Sequence, residues 1–321
     1  ASNNTAVGYF ALYANTTGTR NVAVGASSLD ANTTGNYNIA VGNVSLGANT
    51  TGSENTALGD YALADNTTGA QNVAVGKQAL GQNTTASDNT AVGFESLMDN
   101  TTGTNNTAVG KRAGYNITTG DDNTAIGQEA LYTATTASDN TAIGFQALYY
   151  NTSGASNVAV GWNALVNNTT GGTNTGIGYQ ALTNNTTAAG NTAVGYNALT
   201  ANTTGTSSVA VGAYALDAQT TGTQNTALGY AAMSATTTGN YNTAVGTSAL
   251  SVHTTGNENT AVGQGAMIAL TSGANNVAMG NYALAAVTTT AGNVAIGRYS
   301  LAATTGSYNT GLGYLTLTAC T

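Results

Sequence analysis

Residues 4–20 read NTAVGYFALYANTTGTR, and residues 21–37 read NVAVGASSLDANTTGNY. The phrase returns every seventeen residues, opening at Asn4, Asn21, Asn38 and onward to Asn293 and Asn309, nineteen copies in all. The single slip is one missing residue between Asn293 and Asn309, which alignment of the copies places just before Thr304. No segment of residues 1–321 lies outside the array, so the sequence predicts one solenoid domain with no evident caps.

Numbered from its opening residue, the phrase is Asn, Thr/Val, Ala, Val/Ile/Leu, Gly, two variable, Ala/Ser, Leu, two variable, Asn/Thr, Thr, Thr, Gly, two variable. Positions two to four alternate with period two, and no stretch carries an apolar stripe of period 3.6. The reading is all-β, a parallel β-solenoid or β-roll of nineteen 17-residue coils, with two short strands per copy around NTAVG and AL. At ~4.8 Å per coil the stack predicts a rod roughly 90 Å long.

The copies act as nineteen trials of each structural position. Position five, from Gly8 and Gly25 to Gly313, is always glycine, which demands a positive φ or a close backbone approach. Leucine holds position nine in sixteen copies (Leu12, Leu29, Leu46 and onward), and position four is always aliphatic or Met (Val7, Val24). These two columns are expected to stack as the hydrophobic spine. Asn4, Asn21 and their equivalents, stacked at position one, predict an amide ladder. Position three (Ala6, Ala23, Ala40) is Ala in seventeen copies and Gly in two. It should point away from position four, so something packs closely against it: a tight bend of the same coil or a neighbouring chain.

All eighteen charged residues fall on positions six, seven, ten, eleven, sixteen and seventeen, which are therefore read as solvent columns. The seventeen Tyr and the other aromatics share them. Tyr9, Phe94, Phe145, Trp162, Tyr179, Tyr196 and Tyr230 stand at position six, and Tyr115, Tyr132 and Tyr149 at position ten. Aromatics in solvent columns point to adhesion or lateral contact, with a sister chain, a neighbouring fibre or a surface glycan as the partner.

With 6% charged residues, net charge −8 and a pI near 4.1, the chain has no electrostatic footprint for nucleic acid. No apolar run is long enough to span a bilayer as a helix. No nucleophile–base pair and no His/Cys/carboxylate cluster with ligand spacing is present in the sequence, so neither an enzyme, a metal nor a cofactor is implied. His253, the one histidine, reads as an occupant of the variable position twelve, and Asp121 and Asp122 read as a solvated acidic pair. The lone Cys320 excludes a disulfide within the chain and leaves pairing between chains open. The NTT triplets match the glycosylation acceptor pattern, but coils ~4.8 Å apart leave no room for a glycan on each, so turn chemistry is the simpler reading.

The phrases SSVAVGAYAL (207–216), GNVAIGRYSL (292–301) and NNVAMGNYAL (275–284) resemble the head repeats of trimeric autotransporter adhesins. With NTTG inserted, the longer phrase is also similar to repeats of phage tail fibres and bacterial surface fibres. The resemblance implies a left-handed β-roll, three chains side by side, and an extracellular, cell-surface or virion-associated location. In the adhesin pattern the alternating strand residues divide between the roll's interior and the trimer contact, which would make Ala6, Ala23 and Ala40 inter-chain packing residues. The bare coils at both ends suggest head-to-tail stacking as a second route to self-association.

The expected function is therefore a structural, non-enzymatic fibre protein, a filament subunit or fibre shaft. The alternative is an adhesin or tail-fibre module gripping polysaccharide through its Tyr/Trp columns. Ice binding on threonine columns is a more distant third.

Overall fold

The computed structural model describes residues 1–318. It divides into two compact units, Ala1–Val160 and Gly161–Thr321, each built from the same coil. Cys320 lies outside the described residues.

Each copy contributes one three-residue strand at positions two to four: β1 (Thr5–Val7), β2 (Val22–Val24) and so on to β10 (Val158–Val160) in the first unit, and β11 (Thr175–Ile177) to β19 (Thr310–Leu312) in the second. Within each unit neighbouring strands are parallel and in register, with Thr5 opposite Val22, Ala6 opposite Ala23 and Val7 opposite Val24. The fold is thus an all-β parallel β-solenoid with a 17-residue coil, and the described residues contain no helix.

The AL segment is not the second strand that the sequence suggested. Gly76–Asn83 shows what replaces it: the amides of Ala79, Gly81 and Asn83 donate to the carbonyls of Gly76, Gln78 and Leu80 at 3.2–3.3 Å, giving three overlapping turns. The first two carry a left-handed residue at their third place, Gln78 (φ 59°) and Leu80 (φ 51°), the geometry of type II turns. The same conformation recurs at positions seven and nine of nearly every coil, including Leu12, Leu29 and Leu46. A non-glycine residue held there costs about 1–2 kcal/mol. Burying each leucine recovers about 1.5–3 kcal/mol, and Leu80 N–H also donates to Ser96 O of the next coil at 3.0 Å.

The side chains of the strand point opposite to the sequence reading. Ala23 and Ala40 are fully buried inside their own coil, whereas Val24 is half-exposed and Val41 is 38% exposed. Val7 and Val24 therefore do not belong to the hydrophobic spine, and Ala23 and Ala40 are not available to another chain. Ala6, like Val7, is exposed. The interior is narrow: at Gly176, in the same column, an added Cβ would come 3.3 Å from Leu165 Cδ1 and from Ala181 O, so a methyl group is the most the space accepts. The core consists of positions three, eight and nine with the two asparagine columns.

Asparagine amides line that core. At position one, Asn21 Oδ1 accepts the Asn38 amide at 2.9 Å while its Nδ2 donates to Gly35 O, also at 2.9 Å. Asn4 does the same for Asn21 at 2.8 Å. At position twelve, Asn15, Asn32, Asn49, Asn66, Asn83 and Asn100 form a second ladder with Nδ2 to Oδ1 distances of 2.8–3.0 Å. In one coil both columns change together: Ser208 replaces Asn at position one, and the longer Gln219 at position twelve reaches it at 3.2 Å and bonds Asn225 at 2.9 Å.

The glycine column has both properties expected of it. Gly42 has φ 138°, and a Cβ there would lie 2.4 Å from Gly59 O of the next coil. Gly8 and Gly25 are equivalent, at φ 136° and 135°. The shortened coil is accommodated one place later than the sequence alignment put it: Thr304 is buried and its amide donates to Leu301 O, so it fills position twelve and the missing residue belongs to the Thr-Thr pair.

Candidate functional site

With the interior closed by alanine, leucine and asparagine, any function has to be carried by the outside of the coil, which offers three kinds of column.

The first is the outer face of the strands. Positions two and four both point outward, as same-face residues of a strand must. Position four is Val41, Leu58, Val109, Ile126 and Ile143 in the first unit, each 37–38% exposed, and Ile177, Val211, Leu228, Met279 and Ile296 in the second, at 37–44%. Position two adds Thr, Val or Ile beside it, and neither position is charged in any copy. Each unit thus presents a hydrogen-bonded strand face coated in aliphatic groups. Lone exposed hydrophobics are ordinary, but a run on successive coils, as at Val109, Ile126 and Ile143, is a contiguous patch.

The second is the aromatic set, and the structure brings part of it together. In the second unit Trp162, Tyr179 and Tyr196 stack with centroids 4.9 and 5.0 Å apart and planes 7° from parallel. Ala213 interrupts position six in the next coil, and Tyr214 from position seven crosses to fill the gap, edge-on to Tyr196 at 5.4 Å and to Tyr230 at 6.0 Å. Tyr214 was not singled out by the sequence reading; its signal was an aromatic beside the one alanine in the run. In the first unit Tyr115, Tyr132 and Tyr149 stack at 5.2 and 4.9 Å. Arg112 lies over the Tyr115 ring and pairs with Glu95 at 2.7 Å. Burial raises the Tyr115 and Tyr149 hydroxyl pKa above its ordinary value. Tyr9 contacts Phe10 rather than the position-six column, Phe94 is exposed, and Phe145 is half-buried. Inside each stack the ring faces are occupied by neighbours, so only edges and hydroxyls meet solvent.

The third is the Thr-Thr pair. Thr33 Oγ1 donates to Thr50 O of the next coil at 3.0 Å, and the same bond recurs up the column. The following threonine, Thr34 and its equivalents, is exposed. Asn32, Asn49 and Asn66, each before the pair of its coil, are fully buried and hydrogen-bonded, which closes those NTT acceptors to modification of the folded coil.

His253 occupies position twelve, fully buried, 3.2 Å from Thr236 Oγ1 and 3.5 Å from Asn259 Nδ2. Burial lowers its pKa from 6.5 to about 4. Asp121 caps the neighbouring coil, accepting from the Thr104 amide and hydroxyl, while Asp122 takes a left-handed turn position. Among the described residues no three His, Cys, Asp or Glu side chains are grouped to hold a metal ion, and no helix is long and apolar enough to cross a membrane.

No known family model matches this sequence, and no curated protein is similar to it.

Proposed function

We propose that this chain is a structural, non-enzymatic fibre element, a filament subunit or fibre shaft outside the cell, whose copies pack side by side through the outer strand face. The observation that carries the reading is the uncharged aliphatic column at position four, a third or more exposed in coil after coil. A face with a rung in every coil is matched rung for rung by a second face of the same spacing, and another copy of this chain supplies one. The resemblance to adhesin-head and tail-fibre repeats supports the same role and suggests three chains. The contact surface in this reading is positions two and four, in place of the alanine column. Stacked aromatics fit a structural role as well, since a ring with both faces occupied stiffens the coil stack and offers no platform to a sugar.

The test is sedimentation of the wild-type chain against a Val109→Glu, Ile126→Glu, Ile143→Glu variant. These side chains point outward, so the change removes no core contact, and the circular dichroism of the variant checks that the coil withstands three stacked carboxylates. The expected result is a multi-chain wild type and a single-chain variant with the same circular dichroism. A monomeric wild type at micromolar concentration, or unchanged assembly of the variant, refutes the proposal.

A further inference from the structure

A cleft of about 110 Å³ indents the first unit where two coils carry their smallest residues at position ten, Ala64 and Gly81. Elsewhere that column holds side chains as large as Tyr115, Tyr132 and Tyr149. Met98 closes one end: a Cβ on Gly81 would come 2.9 Å from its Sδ, so the glycine is what keeps the space open. Tyr61, at position seven, forms a side wall. It is 44% exposed and, unlike the tyrosines of the ladders, has no aromatic neighbour against its ring.

Three polar side chains complete the lining. Among the described residues Asp65 and Gln78 make no side-chain hydrogen bond, although their backbone amides are engaged with Gly81 O and Asp60 O. Gln82 is held by its Nε2, which donates to Asp99 Oδ1 at 2.9 Å, leaving its Oε1 unengaged. The lining thus joins an apolar ring wall to a carboxylate that only accepts hydrogen bonds and an amide that does both. Small-molecule sites are generally made this way, an apolar surface with a few convergent polar groups.

We propose that this cleft binds one pyranose ring of a neutral saccharide. The apolar C–H face of the sugar packs on Tyr61, adjacent ring hydroxyls donate to the Asp65 carboxylate, and the Gln78 and Gln82 amides complete their hydrogen bonding. A cavity below the ~300–1,000 Å³ of drug-sized pockets suits one ring rather than an extended peptide. Asp60, Asp65 and Asp99 stand on the coils around it against Lys77, Glu95 being paired with Arg112, and this acidic balance disfavours an acidic sugar. The site differs from the stacked columns because its aromatic surface is free, and it does not depend on how copies of the chain pack.

The experiment is saturation-transfer NMR on the full chain with the methyl glycosides of glucose, galactose, mannose and N-acetylglucosamine, and with methyl glucuronide as the anionic probe. Methyl glycosides stand for a sugar within a chain; the free monosaccharides, run beside them, show whether the site takes a reducing sugar instead. At least one neutral probe is expected to bind, at millimolar affinity, and the glucuronide is not. Tyr61→Asn, which keeps a residue type that tolerates the left-handed backbone, and Asp65→Ala should each weaken binding at least about tenfold. Gly81→Tyr fills the cleft from a position whose φ is not left-handed, and should abolish binding with the fold intact by circular dichroism. Tyr179→Ala should change nothing. Absence of binding by every neutral probe, binding that survives Tyr61→Asn and Gly81→Tyr, or binding lost on Tyr179→Ala overturns the assignment.

Discussion

Replacing Gly114 by leucine and Ile117 by asparagine, separately and together, tests whether the core columns are coupled as the structure indicates. Gly114 is the one glycine in the leucine column, and Ile117, three residues later, stands where a ladder asparagine would be. A Cβ on Gly114 would lie 3.0 Å from Leu97 Cδ2 and 3.1 Å from Ile117 Cδ1, so the isoleucine fills the space that the leucine would take. The exchange has a visible cost: Asn100 Oδ1, the end of its ladder, is buried without a partner. Gly114→Leu alone overpacks this space at about 1–3 kcal/mol, and holding a non-glycine residue at φ 60° adds about 1–2 kcal/mol. Ile117→Asn alone forfeits about 1.5–3 kcal/mol of burial plus a cavity, and regains about 1–3 kcal/mol by giving Asn100 a donor. In the double variant the leucine occupies the vacated space and the ladder is continuous, so the two losses largely vanish. The expected coupling is about 3 kcal/mol, well above the ~0.3–0.5 kcal/mol scatter of independent sites. Repeat arrays need not unfold in one step. The assay is therefore hydrogen exchange of the amides from Gly110 to Gly127, with urea midpoints as a second measure. Additive single effects would show that the two positions do not share one cavity and that the packing account of this coil is wrong.

Two further outcomes follow from the coil geometry. Gly42→Ala should cost about 3 kcal/mol or more, because φ 138° is foreign to alanine and the new Cβ would meet Gly59 O, whereas Ala231→Gly, at φ 50°, should be neutral or stabilising by up to about 1 kcal/mol; equal thermal shifts would refute the turn assignment. His253 binds a proton near pH 6.5 when unfolded but only near pH 4 when folded, so its contribution is intact above pH 6.5 and is lost as the pH falls to 4, by about 3 kcal/mol in total; His253→Asn should remove that slope, and an unchanged acid limb in urea melts taken from pH 7 to 4 would refute it.

How much of this was legible in the sequence depends on what kind of signal each column carries. The 17-residue period, the glycine at position five and the asparagine ladder were readable because each is fixed by a local demand that recurs in every copy. The turns at positions seven to twelve were not, because two residues such as Ala-Leu establish no period, and the left-handed leucine sits where only tertiary packing would place it. A trace of it was present: Gly114 at position nine and Gly265 at position seven take φ 60° and 63°, the same conformation as the leucines and polar residues of those columns. Of the candidate site, the aromatic columns were legible as exposed positions, but not their stacking, nor the cleft at Tyr61, which depends on two small residues in a column otherwise read only for its charges and rings.

The inverted strand is the informative failure. Period two states that positions three and four face opposite ways without stating which way is in, and hydrophobicity favoured valine over alanine as the core residue. The better criterion was volume. Position three admits only Ala and Gly, the signature of a space bounded on every side, while position four ranges over Val, Ile, Leu and Met, which a narrow interior packed against Leu165-type side chains could not accept. Tolerance of size with intolerance of charge is what a surface shows when it is covered by something deformable or self-matched. In the proposed packing the position-four column carries a constraint that the isolated coil does not impose. Val109, Ile126 and Ile143 are each more than a third exposed, yet not one of the nineteen copies places a polar side chain there. If single Val109→Lys, Ile126→Lys and Ile143→Lys changes leave the stability of the dissociated chain within about 0.5 kcal/mol, as outward positions away from special features do, while each lowers the assembled mass, the constraint belongs to the contact between copies. If they unfold the dissociated chain instead, the outer column serves the coil itself and the side-by-side packing loses its main support.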